Sequence, residues 1–132
     1  MIAIIQARLG SKRLKDKNIK LINRKPLIWY VINQVIKSKY ISNLIIAIPN
    51  NRANDRLNNY LKDKGFLVYR GSENNVAHRM LKAAESINAK YFLRICADSP
   101  LIDEKIIDKM IEIKKKVYKI DIVTNVFPRT FA

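Results

Sequence analysis

The sequence predicts an α/β fold with a mostly parallel sheet and helices on both faces. Short unbroken apolar runs, typical of strands that are buried on both faces, recur along the 132 residues. Stretches with apolar residues at helical spacing lie between these runs. Strands and helices that alternate through short loops favour parallel pairing, and the length is that of one ordinary domain.

The elements can be placed in order from these patterns. Predicted strands cover residues 2–6, 44–48, 66–69, 91–96 and 122–125, and predicted helices cover 27–36, 55–64, 76–87 and 104–118. Gly65 is placed to end the second helix and Asp103 to begin the fourth. Arg94, inside the fourth strand, is expected to need a partner because a buried guanidinium is costly when it is unpaired.

Composition narrows the class of protein. The single cysteine, Cys96, excludes an intramolecular disulfide and is consistent with a reducing compartment. No apolar run approaches the ~20 residues of a membrane helix, and no signal-peptide pattern opens the chain, so a cytoplasmic protein without a membrane partner is expected. The formal net charge of +15 raises the alternative of a nucleic-acid-binding domain. The lysines are scattered over the predicted helices and are not gathered on one face, which argues against that alternative as the main function.

The loop after the first strand concentrates cations. Between residues 8 and 17 it carries one acid, Asp16, against five basic side chains, and it includes Gly10 and Ser11 as sources of tight turns and backbone donors. The five are Arg8, Lys12, Arg13, Lys15 and Lys17. Backbone N–H groups in a turn together with arginine forks suit a polyphosphate. The spacing is neither that of a P-loop nor that of a dinucleotide-binding loop.

Three stretches together resemble the signature of the sugar-acid cytidylyltransferases. They are IIQARLGSKRL at 4–14 with Lys17 and RKPLI at 24–28, then YRGS at 69–72 with Val76 and Arg79, and finally LRICADSPLID at 93–103. The resemblance is closest to the branch of spore coat polysaccharide biosynthesis protein F, which is related to the CMP-Kdo and CMP-sialic acid synthetases. It implies a Rossmann-like fold of the nucleotide-diphospho-sugar transferase type.

The resemblance also implies a chemistry and a set of residues. Residues 1–132 would form the nucleotide-binding part of an enzyme that joins CTP to a sugar acid with Mg²⁺, giving a CMP-sugar for surface polysaccharide. Asp98 would bind the metal, and Arg13 and Lys17 would act in catalysis. The nucleotide would contact Ala7, Arg8, Gly10, Ser11, Lys12, Arg13, Lys17, Gly71, Ser72 and Arg79. The family usually has Pro-Gly where this chain has Lys15-Asp16, which leaves the form of that turn open.

The resemblance implies a longer enzyme than this chain. Family members continue well past residue 132 and there carry further sugar-binding residues and much of the dimer interface. A nucleotide-binding half with little or no turnover, prone to self-association as a homo-oligomer, is therefore expected. Two alternatives stay open: a non-catalytic interaction module of the same fold, and the basic nucleic-acid-binding domain.

Overall fold

The structure is a computed structural model that describes residues 1–11, 13–117 and 119–126. Its strands are β1 (Ile2–Gln6), β2 (Leu21–Ile22), β3 (Lys25–Pro26), β4 (Asn43–Pro49), β5 (Leu67–Gly71) and β6 (Phe92–Cys96). Its helices are α1 (Leu27–Val35), α2 (Asp55–Asp63), α3 (Val76–Glu85) and α4 (Glu104–Lys116), with single 3-10 turns at Lys17–Ile19 and Arg52–Asn54. The four predicted helices and the first four predicted strands are all present.

The main sheet is parallel throughout and runs in the order β5-β4-β1-β6. The central strand β1 is apolar on both faces, and Ala3, Ile4 and Ile5 are fully buried. Helices α1, α2 and α4 cover one face, while α3 covers the other by packing on β1, β4 and β5. The predicted mostly parallel sheet with helices on both faces is confirmed.

The predicted helix ends are confirmed by their hydrogen bonds. Gly65 has φ +78 and its N–H donates to the Lys62 carbonyl at 2.8 Å, while Phe66 N–H donates to Leu61 O at 3.0 Å. This pair of bonds is the Schellman motif, which places glycine just beyond a helix end. At α4, the Asp103 carboxylate accepts from Lys105 N–H at 2.7 Å.

Three expectations about strands were wrong. Residues 122–125 are not a strand, because strand composition alone does not form a strand without a paired neighbour. Strand β6 is therefore an edge of the described sheet, and Arg94 is exposed rather than buried, so it needs no buried partner. The third strand extends through Gly71, which ends β5 instead of belonging to the loop.

No helix in the described ranges combines the length and apolar character needed to cross a membrane.

The short antiparallel pair β2 and β3, joined by a two-residue turn, was not among the predicted strands. It precedes α1 directly, and Tyr30 on α1 donates its hydroxyl to Ile22 O at 2.6 Å. The hairpin is thus held against the helix that follows it.

Two glycines should respond in opposite ways to alanine. A Cβ on Gly71 would lie 2.7 Å from Tyr69 Cε1 and 3.1 Å from Arg79 Cγ, whereas one on Gly10 meets nothing within 4 Å. We expect Gly71→Ala to lower the free energy of unfolding by about 1–3 kcal/mol through overpacking. Gly10→Ala should leave it unchanged or raise it by up to ~1 kcal/mol by restricting the unfolded chain. Urea denaturation measures both values, and equal losses in the two variants would contradict the packing around Gly71.

Candidate functional site

The loops that follow β1, β4, β5 and β6 all leave the sheet at its carboxyl-terminal edge, where the strands end, because all four strands are parallel. Backbone hydrogen bonds hold their first residues side by side. Ala7 N–H donates to Ala47 O at 3.1 Å, and Ala97 N–H donates to Gln6 O at 3.1 Å. Asn50 N–H donates to Gly71 O at 2.8 Å. The loops that carry the motifs therefore start from adjacent positions.

The first loop closes on one buried carbonyl. Leu9 is 3% exposed, and its oxygen accepts from Ser11 N–H at 2.7 Å and from Asp16 N–H at 3.2 Å. Asp16 adopts φ 56, the left-handed region that aspartate tolerates better than most residues. The turn left open by the sequence thus forms with aspartate in the conformation that favours glycine. Arg8 and Arg13 are exposed on this loop, and Lys12 lies outside the described residues.

Two buried asparagines hold the loop, and sequence reasoning missed both. Asn54 is 2% exposed; its Oδ1 accepts from Leu9 N–H at 2.9 Å and its Nδ2 donates to Asn51 Oδ1 at 2.6 Å. Asn18 is equally buried and donates from Nδ2 to the Arg8 carbonyl at 2.9 Å. Both stand in polar stretches after a strand, where asparagine is common, so the sequence does not single them out.

Lys17 and Asp98 form an ion pair across the edge of the sheet. Lys17 lies in the 3-10 turn after the first loop and Asp98 follows β6, and the Lys17 Nζ contacts Asp98 Oδ2. The hydrogen bond from Lys17 holds the pKa of Asp98 below its usual value; partial burial opposes this shift, and the nearby charge of Arg13 adds to it. The carboxylate is therefore charged and half-exposed, with a side-chain exposure of 42%.

The loop between β5 and α3 is built on Arg79. This side chain is 2% exposed, and its Nη1 donates to the Ser72 carbonyl and, at 3.4 Å, to the Glu73 carbonyl. Ser72 Oγ accepts from Asn75 N–H at 3.1 Å, and Asn75 Oδ1 caps α3 by accepting from His78 N–H at 2.9 Å. His78 itself is exposed. Two carbonyls of the loop thus depend on one buried guanidinium.

Burial lowers the pKa of Arg79, and repulsion by Arg8 lowers it further. The Nε of Arg79 is buried and has no hydrogen-bond partner among the described residues. The repulsion between Arg8 and Arg79 indicates that the loop after β1 lies near the guanidinium that supports the β5–α3 loop. The structure gives Arg79 a positioning role beneath the loop, and a direct ligand contact for its guanidinium stays a prediction.

The predicted nucleotide-binding residues that the structure describes therefore fall into four groups. Ala7, Gly71, Ser72 and Arg79 are framework, because their backbone or side chain holds a loop in place. Arg8 and Arg13 are exposed cations that make no ion pair within the described ranges. Lys17 is already paired, and Gly10 and Ser11 lie at the turn beside them.

A divalent cation could bind at this site only if water and a ligand supplied most of its oxygen donors. In the part of the chain that is described, no group of three or more His, Cys, Asp or Glu side chains could hold a metal. Asp98 offers a single charged carboxylate. Mg²⁺ commonly binds through one or two carboxylates and completes its shell with water and substrate phosphate oxygens. The donor set therefore fits Mg²⁺ that arrives with a triphosphate.

Comparison with known proteins now identifies the family. A family model described as cytidylyltransferase matches residues 2–129. The chain belongs to the cytidylyltransferase family. This family member is 32% identical to the spore coat polysaccharide biosynthesis protein SpsF of Bacillus subtilis over 116 residues, which are 85% of this chain and 48% of that protein. It is 31% identical to a 3-deoxy-manno-octulosonate cytidylyltransferase of Chlorobaculum parvum over 110 residues, 82% of this chain and 43% of that enzyme.

Solved structures agree with this family and fold. A cytidylyltransferase from Leptospira borgpetersenii superposes with a TM-score of 0.91 at 33% identity, over 99% of this chain and 56% of that one. A CMP:2-keto-3-deoxy-manno-octonic acid synthetase complexed with CTP shares the fold, with a TM-score of 0.77 at 18% identity, over 90% and 49% of the two chains. This cytidylyltransferase-family chain thus spans about half the length of the relatives it matches.

The ion pair predicts a specific pH dependence. Because folding lowers the pKa of Asp98, the pair stabilises the native state above the ordinary aspartate pKa of ~3.9 and loses that contribution as pH falls through the lowered value. The net stabilisation is small, since both side chains are partly solvated. We expect Lys17→Met to raise the Asp98 pKa, as measured by NMR titration of its carboxyl carbon. Lys15→Met, an exposed control, should leave it unchanged, and an unchanged pKa in Lys17→Met would contradict the pair.

Proposed function

We propose that this chain binds CTP together with Mg²⁺ at the strand edge described above and forms the nucleotide-binding part of an enzyme that transfers CMP to a sugar acid. One observation carries the proposal: the basic loop after β1 and the carboxylate after β6 meet in the Lys17–Asp98 pair. A triphosphate and a divalent cation need opposite charges at adjacent positions. Membership of the cytidylyltransferase family supports the choice of nucleotide.

The exposed guanidinium groups of Arg8 and Arg13 are the proposed phosphate contacts. Arginine presents a planar fork that matches two phosphate oxygens, and neither side chain forms an ion pair with a described residue. Lys17 adds a third cation once a ligand competes for it. The backbone of Ala7, buried at the end of β1, lies at the proposed position of the cytosine.

The Lys17–Asp98 pair supports an exchange of partners when ligand binds. Mg²⁺ bound at Asp98 would neutralise developing negative charge on the phosphates. Lys17, released from the carboxylate, would then donate to the phosphate chain. In the unliganded site the pair keeps the Asp98 carboxylate charged and holds both side chains in place, which lowers the reorganisation needed on binding.

The proposed reaction joins the anomeric oxygen of a sugar acid to the α-phosphorus of CTP. The bond from that phosphorus to the α,β-bridging oxygen breaks, and pyrophosphate leaves with that oxygen while the sugar hydroxyl releases its proton to water. The described residues would contribute placement and charge neutralisation. The identity of the acceptor, its part in surface polysaccharide biosynthesis and turnover by this chain belong to the same proposal.

A thermal-shift titration with CTP, ATP, GTP and UTP, with and without Mg²⁺, tests the binding step. Ligand at 100 times its dissociation constant stabilises the native state by about 2.7 kcal/mol, which raises Tm by several degrees. We expect the largest shift with CTP, increased by Mg²⁺. Asp98→Asn should remove the Mg²⁺-dependent part, and Asp63→Asn, at the exposed end of α2, should keep it.

Other outcomes of that titration point elsewhere. Equal shifts with all four nucleotides that vanish at high salt would indicate nonspecific attraction by a basic surface, the behaviour expected of the nucleic-acid-binding alternative. No shift with any nucleotide would contradict the proposed function and favour the interaction-module alternative.

Self-association as a homo-oligomer is proposed as well. Strand β6 is an edge of the described sheet, and large apolar side chains near it are exposed, with Tyr91 at 49%, Leu101 at 93% and Ile122 at 82%. Apolar surface of this kind, beside unpaired strand groups, favours association. Light scattering across a range of protein concentrations should show a mass above 15.4 kDa. A monodisperse monomer would contradict it.

A further inference from the structure

A second concave site lies beside the 3-10 turn that carries Lys17, and Ile19 at the end of that turn lines it. A cavity of about 430 Å³ opens between the β2–β3 hairpin, α1 and α2. This volume is within the range of small-molecule sites, ~300–1,000 Å³. Four cations and two aromatic rings line it: Arg24, Lys25, Arg56, Lys64, Trp29 and Tyr60. None of these residues belongs to the CTP site proposed above.

The described residues that line this cavity carry only positive charge. None of them is a carboxylate, and none of the four cations lies within 4.0 Å of an acidic group in the described part of the chain. All four side chains are exposed, so water and salt screen much of their mutual repulsion, and an anion that enters the hollow would reduce the rest. The two guanidinium groups, Arg24 and Arg56, suit a phosphate in particular.

Arg24 occupies a conformation that normally selects glycine. It stands with Asn23 in the two-residue turn between β2 and β3, at φ 64 and φ 45 respectively. Positive φ at both positions defines a type I′ turn, for which Asn-Gly is the preferred pair. A side chain held in this region costs on the order of 1 kcal/mol or more. The hairpin thus carries a guanidinium at the cavity where glycine would be less strained.

The aromatic rings add an apolar surface to the cationic one. Trp29 is half-buried, with Lys25 Nζ 5.4 Å from its ring centroid, so one face already contacts a cation. Tyr60 is also half-buried, and burial raises the pKa of its hydroxyl, which keeps it a proton donor. Rings of this kind pack against the faces of sugars and nucleobases.

We propose that this cavity binds a small phosphomonoester carried on a sugar ring, with Arg24, Arg56 and Lys64 around the phosphate and Trp29 against the ring. The sugar can be free or part of a nucleotide, and the probes below separate these cases. The site is independent of the proposed CTP site, so either can fail without the other.

Trp29 is the sole tryptophan in the sequence, so its fluorescence reports on this cavity directly. We would titrate the chain without Mg²⁺ with CMP, ribose 5-phosphate and inorganic phosphate. Saturable changes at a lower concentration for ribose 5-phosphate than for phosphate are expected. If CMP binds no more tightly than ribose 5-phosphate, the ligand is a free sugar phosphate. If CMP binds more tightly, the ligand is a nucleotide. The proposal would be overturned if neither CMP nor ribose 5-phosphate gave a saturable change. It would also be overturned if inorganic phosphate bound as tightly as the sugar-bearing probes.

Variants separate loss of binding from loss of folding. Arg24→Gly removes a cation and installs the residue the turn prefers, so affinity for the better sugar-bearing probe should fall about tenfold while stability in urea is unchanged or higher. Arg56→Gln should weaken binding similarly. Lys37→Gln, exposed just beyond α1, is the matched charge control and should have no effect. Full affinity in both Arg24→Gly and Arg56→Gln would overturn the proposal.

Lys17→Met separates this cavity from the CTP site. It should leave the Trp29 response intact, since Lys17 does not line the cavity. Loss of the response in Lys17→Met with retention in Arg24→Gly would place the ligand at the strand edge instead and overturn the second site.

Discussion

The in-register parallel pairing of β1 with β4 and β6 is the constraint on which the rest of the structure depends. At the end of β1, Gln6 lies between Ala47 and Cys96, and the ladder continues one residue further on each side. The first loop and Asp98 therefore leave the sheet as neighbours, although 81 residues separate Lys17 from Asp98 in sequence. A shift of one residue in this register would turn every buried side chain of β1 to the opposite face.

Much of the fold could be predicted because its signals are local. Continuous apolar runs marked the central strands, helical spacing marked the four helices, and Gly65 and Asp103 marked helix ends. The wrong predictions share a cause, because each depends on which strand pairs with which neighbour. Residues 122–125 have strand composition without forming a strand, and Arg94 is exposed because β6 lies at the edge of the described sheet.

The sequence motifs predicted which loops form the site, but they did not predict the different roles of the residues in those loops. Sequence motifs named Arg8, Arg79 and Asp98 alike as functional, yet the three differ in surroundings. Arg8 is exposed, Arg79 is buried beneath two carbonyls, and Asp98 is paired with Lys17. Burial and hydrogen-bond partners arise only from tertiary packing, which is also why the buried Asn54 went unnoticed. Supporting residues of this kind determine how firmly the exposed cations are presented.

NMR mapping of backbone amides during titration with CTP and Mg²⁺ shows whether the loops after β1, β5 and β6 form one ligand site. We expect the largest Mg²⁺-dependent shifts to occur together in residues 7–13, at 72–75 and at Asp98, with one common dissociation constant. Saturable shifts that leave all three loops unmoved, or that give the loops unrelated dissociation constants, would contradict it.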